Sequence, residues 1–254
     1  MKTSNHLLRR LTAALLAAVL ALSIALPVFA SDDGDTIYIN SVSDLLSLAK
    51  SCAYDQWSVG KTVILQKDLS LEGMLWEPIP SFSGQFKGSG HTISDLTITG
   101  QYSPAGLFGI VEEQGSIESL SVRGIVSVSD AADTTTGGIV GINHGTLINC
   151  QFTGVVTGDS EVGGIVGRNE SEGTIDHSTA RAIVTGKSST GGIAGYNLGA
   201  ITGCTNVGSI NTEYQEASLD TDGFTAKMVD QINNKIAAAD DDAYLHAQFG
   251  AGLD

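Results

Sequence analysis

Four short glycine-framed segments recur along the middle of the chain and constrain its fold more than any other feature. Each begins and ends with glycine and encloses two apolar residues. The framing glycines are Gly106 and Gly109, Gly138 and Gly141, Gly164 and Gly167, and Gly192 and Gly195. The first glycines of successive frames are 32, 26 and 28 residues apart. Repeats of this length predict a repeat architecture.

Two further blocks of sequence recur after each frame. In the last three copies an asparagine also follows the frame, two residues after its closing glycine. The second block is represented by residues 145–150 (GTLINC) and the third by residues 154–156 (GVV). Short apolar runs separated by Gly, Asn, Thr and Asp are typical of strands joined by tight turns. A unit of this length fits one turn of a coil with about three short strands. The sequence therefore predicts an all-β fold, a β-solenoid of stacked coils.

Stacked coils place equivalent residues of successive repeats in ladders. We expect one buried ladder of four aliphatic side chains, Ile117, Leu147, Ile175 and Ile201. The asparagines after the frames predict a second ladder, in which amides bond along the stack: Asn143, Asn169 and Asn197.

Two cysteines share one repeat position, with a serine at that position in the coil between them. Cys150 and Cys204 therefore lie two coils apart, about 9.6 Å at the spacing of neighbouring strands. This exceeds the limit of about 7 Å between the Cα atoms of a disulfide. Both are predicted to be free thiols that serve as small core residues.

The segments on either side of the repeats divide the chain further. Residues 31–105 are predicted to form an N-terminal cap and irregular early coils, and residues 41–52 of this segment a short capping helix. Strands are predicted at 36–39, 63–65, 76–79, 82–86 and 91–98. The repeat coils span 106–212, and 213–254 form a helical extension. In that extension one helix face carries Phe224, Met228, Ile232 and Ile236.

The first 30 residues have the pattern of a secretory signal peptide. A basic start (Lys2, Arg9, Arg10) precedes an apolar run that ends in Val28-Phe29-Ala30. The full chain carries a net charge of −15, and removal of residues 1–30 makes it −18, because three basic residues and no acidic ones are lost. We therefore expect a secreted or surface-associated protein with no nucleic-acid partner and no membrane insertion after cleavage.

The glycine frames, each followed by a block similar to Gly-x-Ile-x-Asn-Cys, resemble the GLUG motif of secreted bacterial proteins. The segment before them resembles the leader of such repeats, at residues 67–71, 76–79, 82–84 and 88–93. The resemblance covers about residues 37–212. It implies a right-handed parallel β-helix, in an adhesin-like surface protein or a non-catalytic region of an immunoglobulin-A-cleaving metallopeptidase. Pro80 stands where the leader has glycine, so a different turn is expected there.

No catalytic constellation is evident in the sequence. None of the histidines begins the His-Glu-x-x-His motif of zinc peptidases, and no metal site or cofactor is expected. Parallel β-helices also host polysaccharide-degrading enzymes, which need paired carboxylates. The single candidate pair is Glu118 and Asp176, two coils apart. It is more simply explained as solvated turn residues.

These observations favour a non-catalytic solenoid that recognises an extracellular glycan or protein ligand. Tyr102 and Tyr196 are the predicted binding aromatics. Two alternatives stay open. One is an enzyme acting on polysaccharide through Glu118 and Asp176, and the other is a spacer region of a larger secreted protein.

Overall fold

The computed structural model describes residues 35–54, 56–129 and 134–211. The predicted signal peptide and the predicted C-terminal helix lie outside these residues. Within them, no helix is long and apolar enough to cross a membrane.

The described residues form one helix and a succession of short strands. The first coils contain β1 (Thr36–Ile39), α1 (Val42–Ser51), β2 (Thr62–Leu65), β3 (Leu69–Ser70), β4 (Ile79–Phe82), β5 (Gln85–Lys87), β6 (Thr92–Gly100), β7 (Phe108–Val111), β8 (Ser116–Glu118) and β9 (Ser121–Val128). The next coils contain β10 (Thr135–Gly137), β11 (Val140–Asn143), β12 (Thr146–Ile148), β13 (Gln151–Thr157), β14 (Glu161–Gly163), β15 (Val166–Asn169), β16 (Thr174–Asp176) and β17 (Thr179–Thr185). The last described strands are β18 (Thr190–Gly191), β19 (Ala194–Asn197), β20 (Ala200–Thr202), β21 (Thr205–Asn206) and β22 (Ser209–Asn211).

These strands stack as parallel sheets, so the predicted β-solenoid is confirmed. Sheet A has the order β1-β2-β5-β8-β12-β16-β20, and sheet B the order β21-β17-β13-β9-β6-β3 with β22 also paired to β17. Sheet C has the order β19-β15-β11-β7-β4. The expected three strands per turn are exceeded in the later coils, where β10, β14 and β18 form a small fourth sheet, sheet D.

The aliphatic ladder lies in sheet A in the predicted register. Ile117 pairs with Leu147, Leu147 with Ile175, and Ile175 with Ile201. The first three are fully buried, whereas Ile201 is 38% exposed. The prediction of burial was wrong for Ile201. Its strand, β20, is the last described strand of sheet A, so Ile201 has a neighbouring strand on one side only.

Three phenylalanine side chains fill the interior of the early coils together. Phe82, Phe86 and Phe108 are fully buried, and their ring centroids lie 5.4–6.3 Å apart in edge-to-face or tilted contacts. The residues in register with Phe108 in the following coils are smaller: Val140, Val166 and Ala194. The coils are therefore regular in backbone but taper in core volume.

The helix α1 begins and packs as predicted. Ser41 is its N-cap, and the Oγ of Ser41 accepts a hydrogen bond from the Asp44 N–H at 3.2 Å. Leu45 and Leu48 face inward and are buried against the core, so the apolar face of the helix closes against the first coil.

The early coils differ from prediction at three places. Strand β3 was not predicted, and the predicted strand 82–86 is interrupted at residues 83 and 84, between β4 and β5. The third difference is the predicted strand 76–79. Residues 76–78 are not a strand, and β4 begins only at Ile79. Trp76 is instead a buried anchor, whose indole Nε1 donates to the Leu107 carbonyl at 3.1 Å. Pro80 lies inside β4, where it is tolerated because β4 is the edge strand of sheet C.

Candidate functional site

The two predicted binding tyrosines have different surroundings. Tyr196, in β19, is 40% exposed, and the Arg168 guanidinium lies over its ring at 5.3 Å from the centroid. Tyr102 follows β6 and is half-buried against the hydrophobic core. The strand register does not bring them together, so only Tyr196 presents a ring as an open surface.

Tyr196 ends a row of side chains on the outer face of sheet C. One residue from each strand contributes to this row, here called the sheet C row: Ser81, Ile110, Ile142, Arg168 and Tyr196. The first four are half-buried, and neither isoleucine belongs to the core. Five strands at about 4.8 Å make the row about 19 Å long, with an aliphatic middle and an aromatic end.

Arg168 is held in place by carboxylates from two neighbouring strand ends. Its Nε donates to the Glu161 Oε2 at 2.7 Å, and its Nη2 forms the second contact of a bidentate ion pair with Glu161. The Thr135 Oγ1 also donates to the Glu161 Oε2, at 3.0 Å, and Glu170 lies 3.5 Å from the Arg168 Nη1. These hydrogen bonds raise the pKa of the Arg168 guanidinium and hold it over the Tyr196 ring.

A second row runs beside the first, at the corner between sheets C and A. Glu112, His144, Glu170 and Leu198 occupy equivalent places in successive coils, because each donates its backbone N–H to a carbonyl of the preceding coil at 2.8–2.9 Å. Carboxylate and imidazole thus alternate along this corner, and Leu198 ends it with 52% of its surface exposed.

A cavity of about 460 Å³ opens where the two rows begin. Its polar lining includes the Ser81 hydroxyl, which donates to the Glu112 Oε1 at 2.7 Å. The lining residues are Gln56, Val59, Ser81, Ser83, Glu112, Glu113, Gln114 and His144. Hydroxyl, amide, imidazole and carboxylate groups around one opening are suited to hydrogen bonding with a polar ligand.

The candidate carboxylate pair lies on a different face, the outer side of sheet A. Glu118 pairs in register with Ile148, and Ile148 with Asp176, so the two acids are separated by one complete strand. Asp176 contacts the His177 Nδ1 at 2.9 Å instead. No cluster of three or more metal-ligating side chains occurs among the residues that the structure describes.

The repeat residues lie in turns and ladders. The Asn143 and Asn169 side chains are buried and bonded along the stack, and Asn197 continues this column at the exposed end. Ser178 lies between the two cysteines: its Oγ accepts from the Cys150 N–H at 3.1 Å, and its own N–H donates to the Cys204 Sγ at 3.4 Å. Both sulfurs are free thiols.

The framing glycines let successive coils approach closely. A Cβ at Gly138 would meet the Phe152 ring, and one at Gly141 would lie 2.5 Å from the Pro104 Cβ. A side chain at either position would therefore force the coils apart.

Sequence reasoning missed the cavity and the contact between Arg168 and Tyr196. The sequence contains a signal for the contact: Arg168 and Tyr196 each directly follow the closing glycine of a frame, Gly167 and Gly195. The signal for the cavity is weaker: it is the run of three polar residues at 112–114, before Gly115. Its other wall comes from residues 56 and 59, which are distant in sequence and belong to no repeat.

Known proteins resemble this chain in its repeats. The family model of the GLUG motif matches residues 158–185, which contain β14, β15, β16 and β17 and so make one coil. Halomucin of Haloquadratum walsbyi is 35% identical over 155 residues, which are 56% of this chain and 2% of halomucin. A protein of Evansella cellulosilytica designated a Gly-rich membrane protein is 30% identical over 137 residues, 39% of this chain and 16% of that protein.

The chain thus spans a small fraction of these two relatives. A crystal structure designated an immunoglobulin A1 protease from Bacteroides ovatus aligns with a TM-score of 0.45 at 16% identity, over 72% of this chain and 79% of that one. The repeat pattern, the parallel register and the matched coil agree with one another. Residues 158–185 match the GLUG motif, and the coils on either side of them repeat its glycine frame in parallel register.

Proposed function

We propose that this chain is a secreted or surface-associated, non-catalytic solenoid that recognises an extracellular glycan or protein ligand through the outer face of sheet C. The observation that carries the proposal is the cation–π contact of Arg168 with Tyr196, at the end of a row that leads to the cavity. An exposed ring held by a fixed cation is a platform on which an apolar ligand face can pack.

The dimensions of this face favour an extended ligand. The sheet C row is about 19 Å long, and hydrogen-bonding groups concentrate in the cavity at its far end. A ligand that packs on Tyr196 and the aliphatic middle could therefore reach Glu112 and His144 with its polar groups. The acidic surface favours neutral or cationic ligands over anionic ones.

An array of glycans and extracellular matrix proteins tests this proposal. We expect Tyr196→Ala to weaken the binding of any array ligand by about tenfold or more, the range of an aromatic anchor. Tyr38→Ala is the matched control, because Tyr38 is 47% exposed but lies in sheet A. Equal losses in the two variants would place the binding face elsewhere.

A spacer role is the second candidate, and one observation favours it. The chain spans only 2% and 16% of the two relatives, so the segments similar to it are small parts of longer proteins there. If the folded protein binds no ligand on the array, the spacer role is favoured. Release of new reducing ends from a polysaccharide, abolished by Asp176→Asn, would instead establish an enzyme.

A further inference from the structure

The cavity at the corner between sheets C and A is bounded by four parts of the chain. These are the turn between α1 and β2, strand β4 with the residue after it, and the turns that follow β7 and β11. Its volume of about 460 Å³ is typical of sites that hold a small molecule or one unit of a larger ligand. The corner can therefore enclose a ligand group rather than only contact one.

The part of the turn before β2 that lines the cavity is held in place by hydrogen bonds. The Val59 N–H donates to the Gln56 carbonyl at 3.1 Å, and the buried Ser58 Oγ accepts from the Ser83 N–H at 2.8 Å. A Cβ on Gly84 would lie 2.7 Å from the Ser58 carbonyl oxygen, so this turn and the segment after β4 are in close contact. Because these walls are fixed in advance, a ligand does not have to order them.

The groups available to a ligand on the β4 side of the cavity are hydrogen-bond acceptors. Ser81 has a single hydroxyl proton, and it donates this proton to the Glu112 Oε1 at 2.7 Å. The Ser81 oxygen therefore keeps only lone pairs for a ligand. The Glu112 Oε2 has no hydrogen-bond partner among the described residues, and the exposed Glu113 adds a second carboxylate at the rim. A ligand has to bring donors to satisfy these oxygens.

Charge decides which kind of donor fits. The described residues that line the cavity include two glutamates and one histidine but no lysine or arginine, and the full chain carries a net charge of −15. A cation is therefore favoured here, and a carboxylate bonds more strongly to a charged donor than to a neutral one. A primary ammonium meets both needs, since it carries a positive charge and three N–H donors.

The rest of the lining favours a sugar ring over a lysine side chain as the carrier of that ammonium. Gln56, Gln114 and Ser83 add two amides and a hydroxyl, and Val59 is the one apolar residue among the described residues of the lining. The methylene stem of a lysine would desolvate these polar groups without giving them partners, which costs free energy. Ring hydroxyls both donate and accept, and the C–H face of a ring can pack on Val59.

We propose that the cavity binds an amino-sugar residue with a free, protonated amine, within an extracellular glycan. The ammonium donates to the Glu112 Oε2 and the Ser81 Oγ. The ring hydroxyls exchange hydrogen bonds with the amides of Gln56 and Gln114, and the rest of the glycan follows the sheet C row toward Tyr196. The assignment rests on the proposed function, because the cavity is the polar end of that same surface.

Calorimetry with a matched pair of tetrasaccharides tests the role of the charge, at a pH where the amine is protonated. The chain should bind the tetramer of β-1,4-linked glucosamine about tenfold more tightly than the tetramer of N-acetylglucosamine, which has the same backbone without the ammonium. Equal affinities, or no binding of the glucosamine tetramer, would overturn the assignment. Tetralysine is the third probe. If it binds as tightly as the glucosamine tetramer, the cavity recognises an ammonium without the sugar and the assignment is wrong.

Substitutions of single carboxylates locate the binding. Glu112→Gln should weaken binding of the glucosamine tetramer about tenfold, and Glu113→Gln, at the exposed rim, roughly threefold. Glu118→Gln removes the same charge from the outer face of sheet A and should leave the affinity unchanged. Equal weakening by Glu112→Gln and Glu118→Gln would contradict binding in the cavity. Thermal unfolding checks that the variants fold, and if Glu112→Gln does not, the comparison of Glu113→Gln with Glu118→Gln decides.

The proposed function can fail separately from this assignment. If array ligands bind and Tyr196→Ala weakens them while the two tetrasaccharides bind equally, the sheet C surface stands and the amino-sugar assignment falls. If the glucosamine tetramer binds and Glu112→Gln weakens it while Tyr196→Ala changes the binding of no ligand, the cavity assignment stands and the role of Tyr196 falls.

Discussion

The Asn143 side-chain amide donates to the Asn169 side-chain carbonyl at 2.7 Å, in the interior of the solenoid where neither residue contacts solvent. The same Nδ2 group also donates to the Gly145 carbonyl at 3.1 Å, and the Asn143 Oδ1 accepts from the Gly145 N–H at 3.2 Å. One side chain therefore closes its own turn and bonds the coil to the next one. Asn169 repeats this pattern toward Asn197 at 2.8 Å.

Removal of the central amide should destabilise the stack strongly. Asn169→Ala leaves the Asn143 donor and the Gly173 carbonyl without their partner in a buried site. We expect the free energy of unfolding to fall by about 2–4 kcal/mol, measured by urea denaturation. Asn197→Ala, at the exposed end of the column, should cost less than about 1 kcal/mol, and equal losses would mean that the ladder is not cooperative.

Gly154 should tolerate no side chain, because coils meet there backbone to backbone. It adopts φ 150°, and a Cβ would collide with the Gly124 carbonyl oxygen of the preceding coil. We expect Gly154→Ala to lower the free energy of unfolding by more than about 3 kcal/mol. Gly90→Ala is the control, since its φ is 79° but no atom lies within 4 Å of the added Cβ; it should cost only about 1 kcal/mol.

His177 occupies a left-handed turn that another residue fits better. Ser119, Asn149, His177 and Gly203 take φ values of 46–63° at equivalent places between sheets A and B. Because left-handed backbone is unfavourable for residues with a Cβ, His177→Gly should raise the free energy of unfolding by about 0.5–1 kcal/mol. Thermal unfolding measures this, and Thr179→Gly, within the strand that follows, should lower stability instead.

The Cys150 thiol should make the protein sensitive to alkaline pH. Burial raises the pKa of Cys150 to about 12, from an ordinary value of 9.0. The unfolded chain therefore loses this proton first, and stability is complete below about pH 9 and falls between about pH 9 and 12, by up to about 1.4 kcal/mol per pH unit. Denaturation at several pH values should show a shallower fall in Cys150→Ser, which places serine where Ser178 lies in the next coil. If the free energy of unfolding falls equally steeply with pH in both proteins, the Cys150 thiol is not the cause.

The backbone of the solenoid could be predicted from sequence because its determinants are local. Glycine, asparagine and short β-branched runs recur at fixed offsets, and each offset corresponds to a turn or a strand of one coil. The ladder from Ile117 to Ile201 and the hydrogen bonds among Asn143, Asn169 and Asn197 follow from that register alone.

The candidate site could be predicted only in part, because its residues lie outside the repeat pattern. Tyr196 was identified as an exposed aromatic, but the partner of its ring was not, since arginines occupy no consistent repeat position. Tyr102 was not distinguishable by sequence from Tyr196, although the structure packs it against the core. Sheet D was missed because its strands are two or three residues long and contain no aliphatic run.

The tapered interior gives the coils a fixed order. Successive coils share one backbone path, yet the inward position that Phe108 fills in sheet C is filled by Val140, Val166 and then Ala194 in the following coils. A late coil copied into an early position would leave a void in the core. An early coil copied into a late position would have inward side chains too large for the space. Each coil is therefore specific for its neighbours, and side-chain size encodes position along an otherwise periodic chain.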